Sequence, residues 1–295
     1  MTALTLPHVT AAIAAIYTFG FGIIAVLALI PTRRADAAEF GKTLGTAVAL
    51  IAVLTVLFWV GPYALYLAMP IMVARITFEV DAVRIQSNPR LLHLALFFGG
   101  WAFLTMLDPI KKDLAVPLWV VLFAIHLLRE EPDRTRGQIV TDLLIFPILP
   151  ACLLASGTID PALGPLLLAT YLMVEIFDSF ALFFGAMWGR TKAFPTLSPN
   201  KTVEGLLGGG FALLTLSLIT AIALSLPLLP TALTALLVGV LAVVGDLAAS
   251  RHKRIAGVKD YPQVLPRQGG LLDSLDSWIA AGAGITALHT VAQLW

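Results

Sequence analysis

Residues 162–188 read ALGPLLLATYLMVEIFDSFALFFGAMW, and Glu175 and Asp178 are their only charged positions. About 20 apolar residues in an α-helix cross the hydrocarbon core of a bilayer. No water is present there to satisfy an open backbone. The run therefore predicts a membrane-spanning helix. Reading outward in the same way gives further spans at 9–31, 43–60, 62–78, 91–107, 114–128, 139–157, 205–226, 231–249 and 272–294. The expected fold is an all-α, polytopic transmembrane bundle of about ten spans. Only Gly61-Pro62 divides the second span from the third, so nine is the alternative.

Composition agrees with this reading. Hydrophobic residues make up 59% of the 295 positions and charged residues 13%, with a mean hydropathy of +0.91. A soluble domain is about one quarter charged. A net charge of +1 without a basic tail also excludes a nucleic-acid binder. The single cysteine, Cys152, allows neither a disulfide framework nor a cysteine metal cluster.

The basic residues set an orientation. With Arg75 at the near end of the third span, loops 32–42, 79–90, 129–138, 189–204 and 250–271 hold every Lys and Arg except Lys111 and Lys112. Positive charge collects on the cytoplasmic side. These loops are expected there, in a multi-pass protein of the cell (inner) membrane with both termini on the far side. The chain is expected to divide into a transmembrane bundle over 1–158 and a catalytic transmembrane region over 159–295.

Two of these loops differ from the rest. Residues 189–204 read GRTKAFPTLSPNKTVE, and 250–271 read SRHKRIAGVKDYPQVLPRQGGL. A hairpin of two spans, turning at Leu226–Pro230, separates them and returns both to one face. Acids flank them: Glu175, Asp178, Asp246, Asp273 and Asp276 lie in or at the ends of apolar runs. An acid at the bilayer centre costs about 2.5–3.5 kcal/mol on insertion scales, so it faces a partner or a cavity. One such acid is as readily a packing lock as a ligand. Five toward one face favour chemistry.

Spacing sharpens the picture. Asp273 and Asp276 are three apart and share a helix face. Asp246, Ser250 and Lys253 form one stripe if their helix continues into the loop. Grouped carboxylates without His or Cys beside them suit a hard cation such as Mg²⁺. Lys201, Arg251, Lys253, Arg254, Lys259 and Arg267 supply phosphate-binding charge, and Gly269-Gly270 would let backbone amides approach an anion. The positive-inside rule alone explains the bases of 129–138. It does not explain bases bracketed by Asp246, Asp260, Asp273 and Asp276. This composition points to phosphoryl or nucleotidyl transfer. The five histidines show no ligand spacing. Gly208-Gly209-Gly210 lacks a P-loop's Gly-Lys-Ser/Thr and is expected to serve tight helix packing.

These residues resemble a known family. Gly245-Asp246-Leu-Ala-Ala-Ser250-Arg-His-Lys253-Arg254, then Lys259-Asp260, then Pro266-Arg-Gln268-Gly269-Gly270-Leu-Leu-Asp273-Ser274-Leu-Asp276, resembles the phosphatidate cytidylyltransferases, or CDP-diacylglycerol synthases. Their pattern runs Ser-x-x-Lys-Arg, four residues, Lys-Asp, then Pro-x-His-Gly-Gly-x-x-Asp-Arg-x-Asp. Upstream, Ser198-Pro199-Asn200-Lys201-Thr202-Val203-Glu204-Gly205 is similar to the family's Ser-Pro-x-Lys-Thr element, and Asp178-Ser179 matches its Asp-Ser. The likeness covers about 170–280. Gln268 replaces the pattern's His, Ser274 its Arg, Phe180 a small residue, and Pro262 a Gly, Ser or Ala.

The resemblance implies that CTP and phosphatidic acid, or a related lipid phosphate, give a CDP-lipid and pyrophosphate. It implies that Asp246, Asp273 and Asp276 bind Mg²⁺ and, with Lys253, carry catalysis. Ser198, Lys201, Ser250, Arg254, Lys259, Asp260, Gly269 and Gly270 would line the substrate site, with Asp178 behind them orienting a loop. It also implies a homodimer among membrane lipids. The alternatives are a CTP-dependent polyprenol kinase, a paralogue for another lipid phosphate and, from a different class, a transporter. CDP-alcohol phosphotransferases are disfavoured because their Asp-Gly-x-x-Ala-Arg core is missing.

Overall fold

The computed structural model describes residues 4–29, 34–84, 98–102, 106, 142–264 and 269–293. Its helices are α1 (Leu6–Leu29), α2 (Arg34–Val60), α3 (Pro62–Arg84), α4 (Leu149–Thr158), α5 (Gly164–Trp188), α6 (Val203–Ala223), α7 (Leu228–Ile255) and α8 (Leu271–Gln293). A π-helical turn, Leu144–Ile148, leads into α4. The span expected at 114–128, loop 129–138 and Gln268 lie outside the described residues, and the span expected at 91–107 is described only at 98–102 and 106. Each of the other eight spans coincides with a helix. Among the described residues α3, α5, α6 and α7 are long and apolar enough to cross a membrane. Shorter apolar stretches occupy Leu6–Gly22, Ala47–Val60 and Leu144–Thr158.

Two expectations need correction. The helix after Pro62 does not stop at 78 but runs to Arg84. Glu79 and Asp81 therefore lie in the core, 0% and 1% exposed, and not in a loop. Loop 189–204 contains two short strands, so the fold is not purely α. The loop forms an antiparallel hairpin of β1 (Lys192–Phe194) and β2 (Ser198–Thr202), with Lys192 opposite Thr202 and Phe194 opposite Ser198. The Glu204 carboxylate holds the hairpin's base. It accepts hydrogen bonds from the backbone N–H groups of Arg190 (3.1 Å) and Thr191 (3.1 Å) and from Thr191 Oγ1 (2.9 Å). Thr202 then caps α6, its Oγ1 accepting the Gly205 N–H at 3.2 Å, which satisfies one orphan donor of the first turn.

Close packing aligns the carboxyl-terminal helices. The backbones of α5 and α6 approach where α6 carries glycines. A Cβ at Gly205 would meet Ala181 O at 2.6 Å, and one at Gly209 would meet Phe177 O at 2.7 Å; one at Gly208 would run into the Phe184 ring. Small residues permit such contact in a bilayer, where lipid tails give helices no hydrophobic drive to associate. Trp278 of α8 is fully buried. Its Nε1–H donates to Leu167 O of α5 at 2.9 Å, and its ring meets Tyr171 edge-on, centroids 5.6 Å apart. One apolar core joins residues from Val9 to Ile285, so both halves of the chain contribute to it.

A Cβ at Gly210, unlike one at Gly209, would meet no atom within 4 Å. Gly209→Leu is therefore expected to cost about 1–3 kcal/mol through overpacking, whereas Gly210→Leu is tolerated. Thermal unfolding of the two purified variants checks this. Cysteines placed at Asn200 and Gln263 are expected to label from one side of the membrane, and one at Asp160 from the other.

Candidate active site

The site begins where α7 leaves the apolar layer. The helix continues through Lys253 and closes at Gly257, whose φ of +72° favours glycine. Val258 N–H bonds Lys253 O at 3.0 Å and Gly257 N–H bonds Arg254 O at 3.1 Å, so the last carbonyls are satisfied. The expected stripe of Asp246, Ser250 and Lys253 therefore exists, with Ser250 and Lys253 buried.

Lys253 Nζ pairs with Asp273 Oδ1 of α8 at 2.6 Å, their side chains 10% and 7% exposed. The other oxygen, Asp273 Oδ2, accepts the Tyr261 N–H and the Gly270 N–H, each at 2.8 Å. Lys253 Nζ also lies 5.6 Å from the Tyr261 ring centroid. A buried ion pair repays its desolvation only with such added hydrogen bonds. Burial raises the Tyr261 phenol's pKa, and Asp273 and Asp276 raise it further. That phenol stays neutral, 3.4 Å from Ala249 O.

A second group lies beside the first. Lys201, at the end of β2, forms an ion pair with Asp246 of α7. Burial works against its charge, but Asp246, Asp178 of α5 and Asp276 of α8 outweigh that and leave its pKa raised. One lysine thus pairs with Asp246 and lies within electrostatic range of carboxylates on two further helices. Gly245 lets α7 and α8 meet here: a Cβ on it would lie 2.8 Å from the Ala280 Cβ and press on the Asp276 carbonyl. Asp276 is buried, its Oδ1 accepting the Ser277 N–H at 2.6 Å. Ser277 Oγ donates to Ala242 O at 3.0 Å, adding a further tie to α7. Asp276 also lies within electrostatic range of Lys253, which links the two groups.

Of the residues expected at the site, Asp178, Lys201, Asp246, Ser250, Lys253, Gly270, Asp273 and Asp276 gather at this end of the bundle. Ser198 starts β2, half-buried. Lys259 and Asp260 are exposed in the loop after α7. Exposed Arg254 donates to Val258 O at 3.1 Å. Glu175 lies one turn from Asp178, near Tyr171 and Tyr17. The glycine pair does bring amides to anions, but the anions are the protein's own: Asp273 for Gly270, and Glu79 of α3 for the residues that follow. Gly269, at φ +77°, turns the chain against the Asp273 carboxylate.

Glu79 and Arg75 were missed from sequence. Glu79 Oε1 accepts the Leu271 N–H and Oε2 the Leu272 N–H, both at 2.9 Å. Arg75 Nε bonds Glu79 at 2.8 Å, and Arg75 Nη2 donates to Pro262 O at 3.1 Å. Their i, i+4 spacing within a continuing apolar helix was the available signal.

The fit to Mg²⁺ rests on donor chemistry. Among the described residues no group of three or more Asp, Glu, His or Cys side chains is placed to hold a metal ion by itself. Such sites commonly use one or two carboxylates and let substrate phosphates complete the shell. Asp246 and Asp276 offer oxygen donors only. Asp246 Oδ2 is buried and, beyond its ion pair with Lys201, accepts no hydrogen bond. These residues fit a hard cation shared with phosphate.

Fold and site define a helical membrane protein with a carboxylate–lysine centre at one mouth of its bundle. The chain belongs to the cytidylyltransferase family, whose sequence pattern matches residues 42–292. The phosphatidate cytidylyltransferase of Staphylococcus aureus (strain COL) is 36% identical over 115 residues, covering 38% of this chain and 44% of that protein. That of Staphylococcus haemolyticus is 37% identical over 119 residues, with the same two shares. The uncharacterized protein YnbB of Escherichia coli K12 is 41% identical over 119 residues, covering 39% and 40%. The chain thus spans less than half the length of each of these relatives.

Lys253→Met leaves Asp273 buried without its cation, and is expected to destabilise the protein by about 3–5 kcal/mol. Adding Asp273→Leu should restore only part of that stability, because the unpaired charge is then gone but the Tyr261 and Gly270 N–H groups lose their acceptor. Thermal unfolding of the single and double variants measures both effects.

Proposed function

We propose that the protein transfers the cytidylyl group of CTP to phosphatidic acid, giving CDP-diacylglycerol and pyrophosphate. The observation that carries this reading is the Lys201–Asp246 ion pair between β2 and α7, with Asp178 of α5 and Asp276 of α8 within electrostatic range of Lys201. Cation and carboxylates stand together where two polar loops meet the apolar bundle. Family membership and the phosphatidate cytidylyltransferases among the relatives support it.

The chemistry asks little of acid–base groups. A phosphate monoester has its second pKa near about 6, so its attacking oxygen is already ionised at neutral pH. The barrier is repulsion between that oxygen and a triphosphate, which fixed positive charge relieves. Lys201 and Lys253 supply such charge, each held in place by a carboxylate until phosphate oxygens compete for it. Asp246 and Asp276 would hold Mg²⁺, and Asp273 would join them only on releasing Lys253 to the phosphates. When bound, that ion neutralises and orients the phosphates. Ser250, buried one turn from Lys253, keeps a hydroxyl beside them. The site's position lets acyl chains remain in lipid while the head group meets CTP. On this reading the loops face the cytoplasm, the protein lies in the cell membrane and it works as a homodimer.

A second reading, transfer to a different lipid phosphate, is favoured by Ser274. It stands between the two aspartates of α8, its hydroxyl 3.5 Å from Gly270 O. Serine is too short for the bidentate grip that arginine gives a phosphate.

Purified protein incubated with CTP and a panel of lipid phosphates distinguishes the readings by which CDP-lipid forms. Formation of none removes both. Asp246→Asn is expected to lower turnover at least about a hundredfold, with the unfolding temperature little changed. Near-normal turnover of that variant at low Mg²⁺ contradicts the assigned site. Gln268→His with Ser274→Arg is expected to shift phosphate-substrate affinity or lipid preference by about ten- to a hundredfold. Unchanged kinetics for CTP and every lipid phosphate would mean that both positions point away from the site.

A further inference from the structure

The first turn of α8 carries Asp273 and Asp276, so its placement decides the site. A helix start leaves backbone donors without intrahelical partners. A side chain on the residue just before the helix ordinarily accepts one of them. Here that residue is Gly270, which has no side chain. Asp273 reaches back to the Gly270 N–H, the reciprocal half of a capping box. The Leu271 and Leu272 donors are met from elsewhere, by the two oxygens of Glu79.

The rest of the arrangement fits that role. Glu79 is fully buried, and Arg75 balances its charge. A carboxylate at a helix N-terminus is also favoured by the helix dipole. A Cβ on Gly270 would lie 2.6 Å from Glu79 Oε2, so the missing side chain is what admits the cap. Arg75 extends the clamp to the loop after α7 through Pro262 O, one residue from Tyr261, whose N–H bonds Asp273.

We propose that Glu79 is a positioning residue: from α3 it caps the start of α8 in place of the missing side chain and so sets where Asp273 and Asp276 stand. The activity measurement rests on the cytidylyl-transfer reading; the capping geometry does not.

The test uses the full-length protein in nanodiscs and the variants Glu79→Ala, Glu79→Gln and, as a stability control, Phe58→Ala in the α2 core. Three quantities are read: the turnover and KM for CTP, the unfolding temperature, and hydrogen exchange across 269–280. For Glu79→Ala, turnover should fall about ten- to a hundredfold, as small misplacements of reacting groups do. Its KM for CTP should stay within about threefold. Exchange at Leu271 and Leu272 should quicken about tenfold or more. Glu79→Gln, which keeps one accepting oxygen, should fall between Glu79→Ala and wild type. It carries the test if Glu79→Ala does not fold. Phe58→Ala should lower the unfolding temperature while leaving exchange at the start of α8 unchanged. Wild-type exchange at Leu271 and Leu272 in the Glu79 variants overturns the proposal. So does a turnover loss no larger than that of the equally destabilised control. If the wild type makes no CDP-lipid, the functional reading falls, and the exchange data still decide the capping.

Discussion

An ionised carboxylate at the edge of an apolar bundle persists only with a cation and hydrogen-bond donors beside it. Asp273 meets this constraint with Lys253 on one oxygen and the Tyr261 and Gly270 amides on the other. Those partners come from α7, the following loop and the start of α8, so one side chain fixes three pieces of chain. Asp246 meets it with Lys201 alone, and Asp178 and Asp276 lie within electrostatic range of the same lysine. The excess of negative charge there is the feature a phosphate-bound cation would use. Stability and chemistry thus draw on the same residues.

The helical frame was legible because apolar length is a local property. The run over 162–188 corresponds to Gly164–Trp188, and the glycines of 205–209 lie at the close α5–α6 contact. The stripe Asp246, Ser250, Lys253 also followed from helical period. What failed was decided by distant partners. Glu79 and Asp81 resembled loop charges, because an acid's burial depends on what meets it, and the amides that meet Glu79 lie 192 and 193 residues away. The hairpin in 189–204 has strands too short to show a two-residue period. Gly269-Gly270 announced an anion nearby, but sequence could not say that the anions were Asp273 and Glu79.

Family membership and geometry agree on the extent of the working unit. The motifs that carry the resemblance lie within 170–280, yet the family pattern reaches back to residue 42. The structure supplies a physical reason, since α3 brings Glu79 and Arg75 to the start of α8. On the positioning role proposed for Glu79, the amino-terminal helices do more than anchor the site in lipid.

On the function proposed, a cytidylyl group moves from CTP to a lipid phosphate at the Lys201–Asp246–Asp276 centre. CTP labelled at either the α- or the γ-phosphorus tests it most directly, using purified protein and phosphatidic acid. The α-label is expected to enter the lipid and the γ-label to leave in pyrophosphate. Label entering lipid from the γ-position, or from neither, would contradict it.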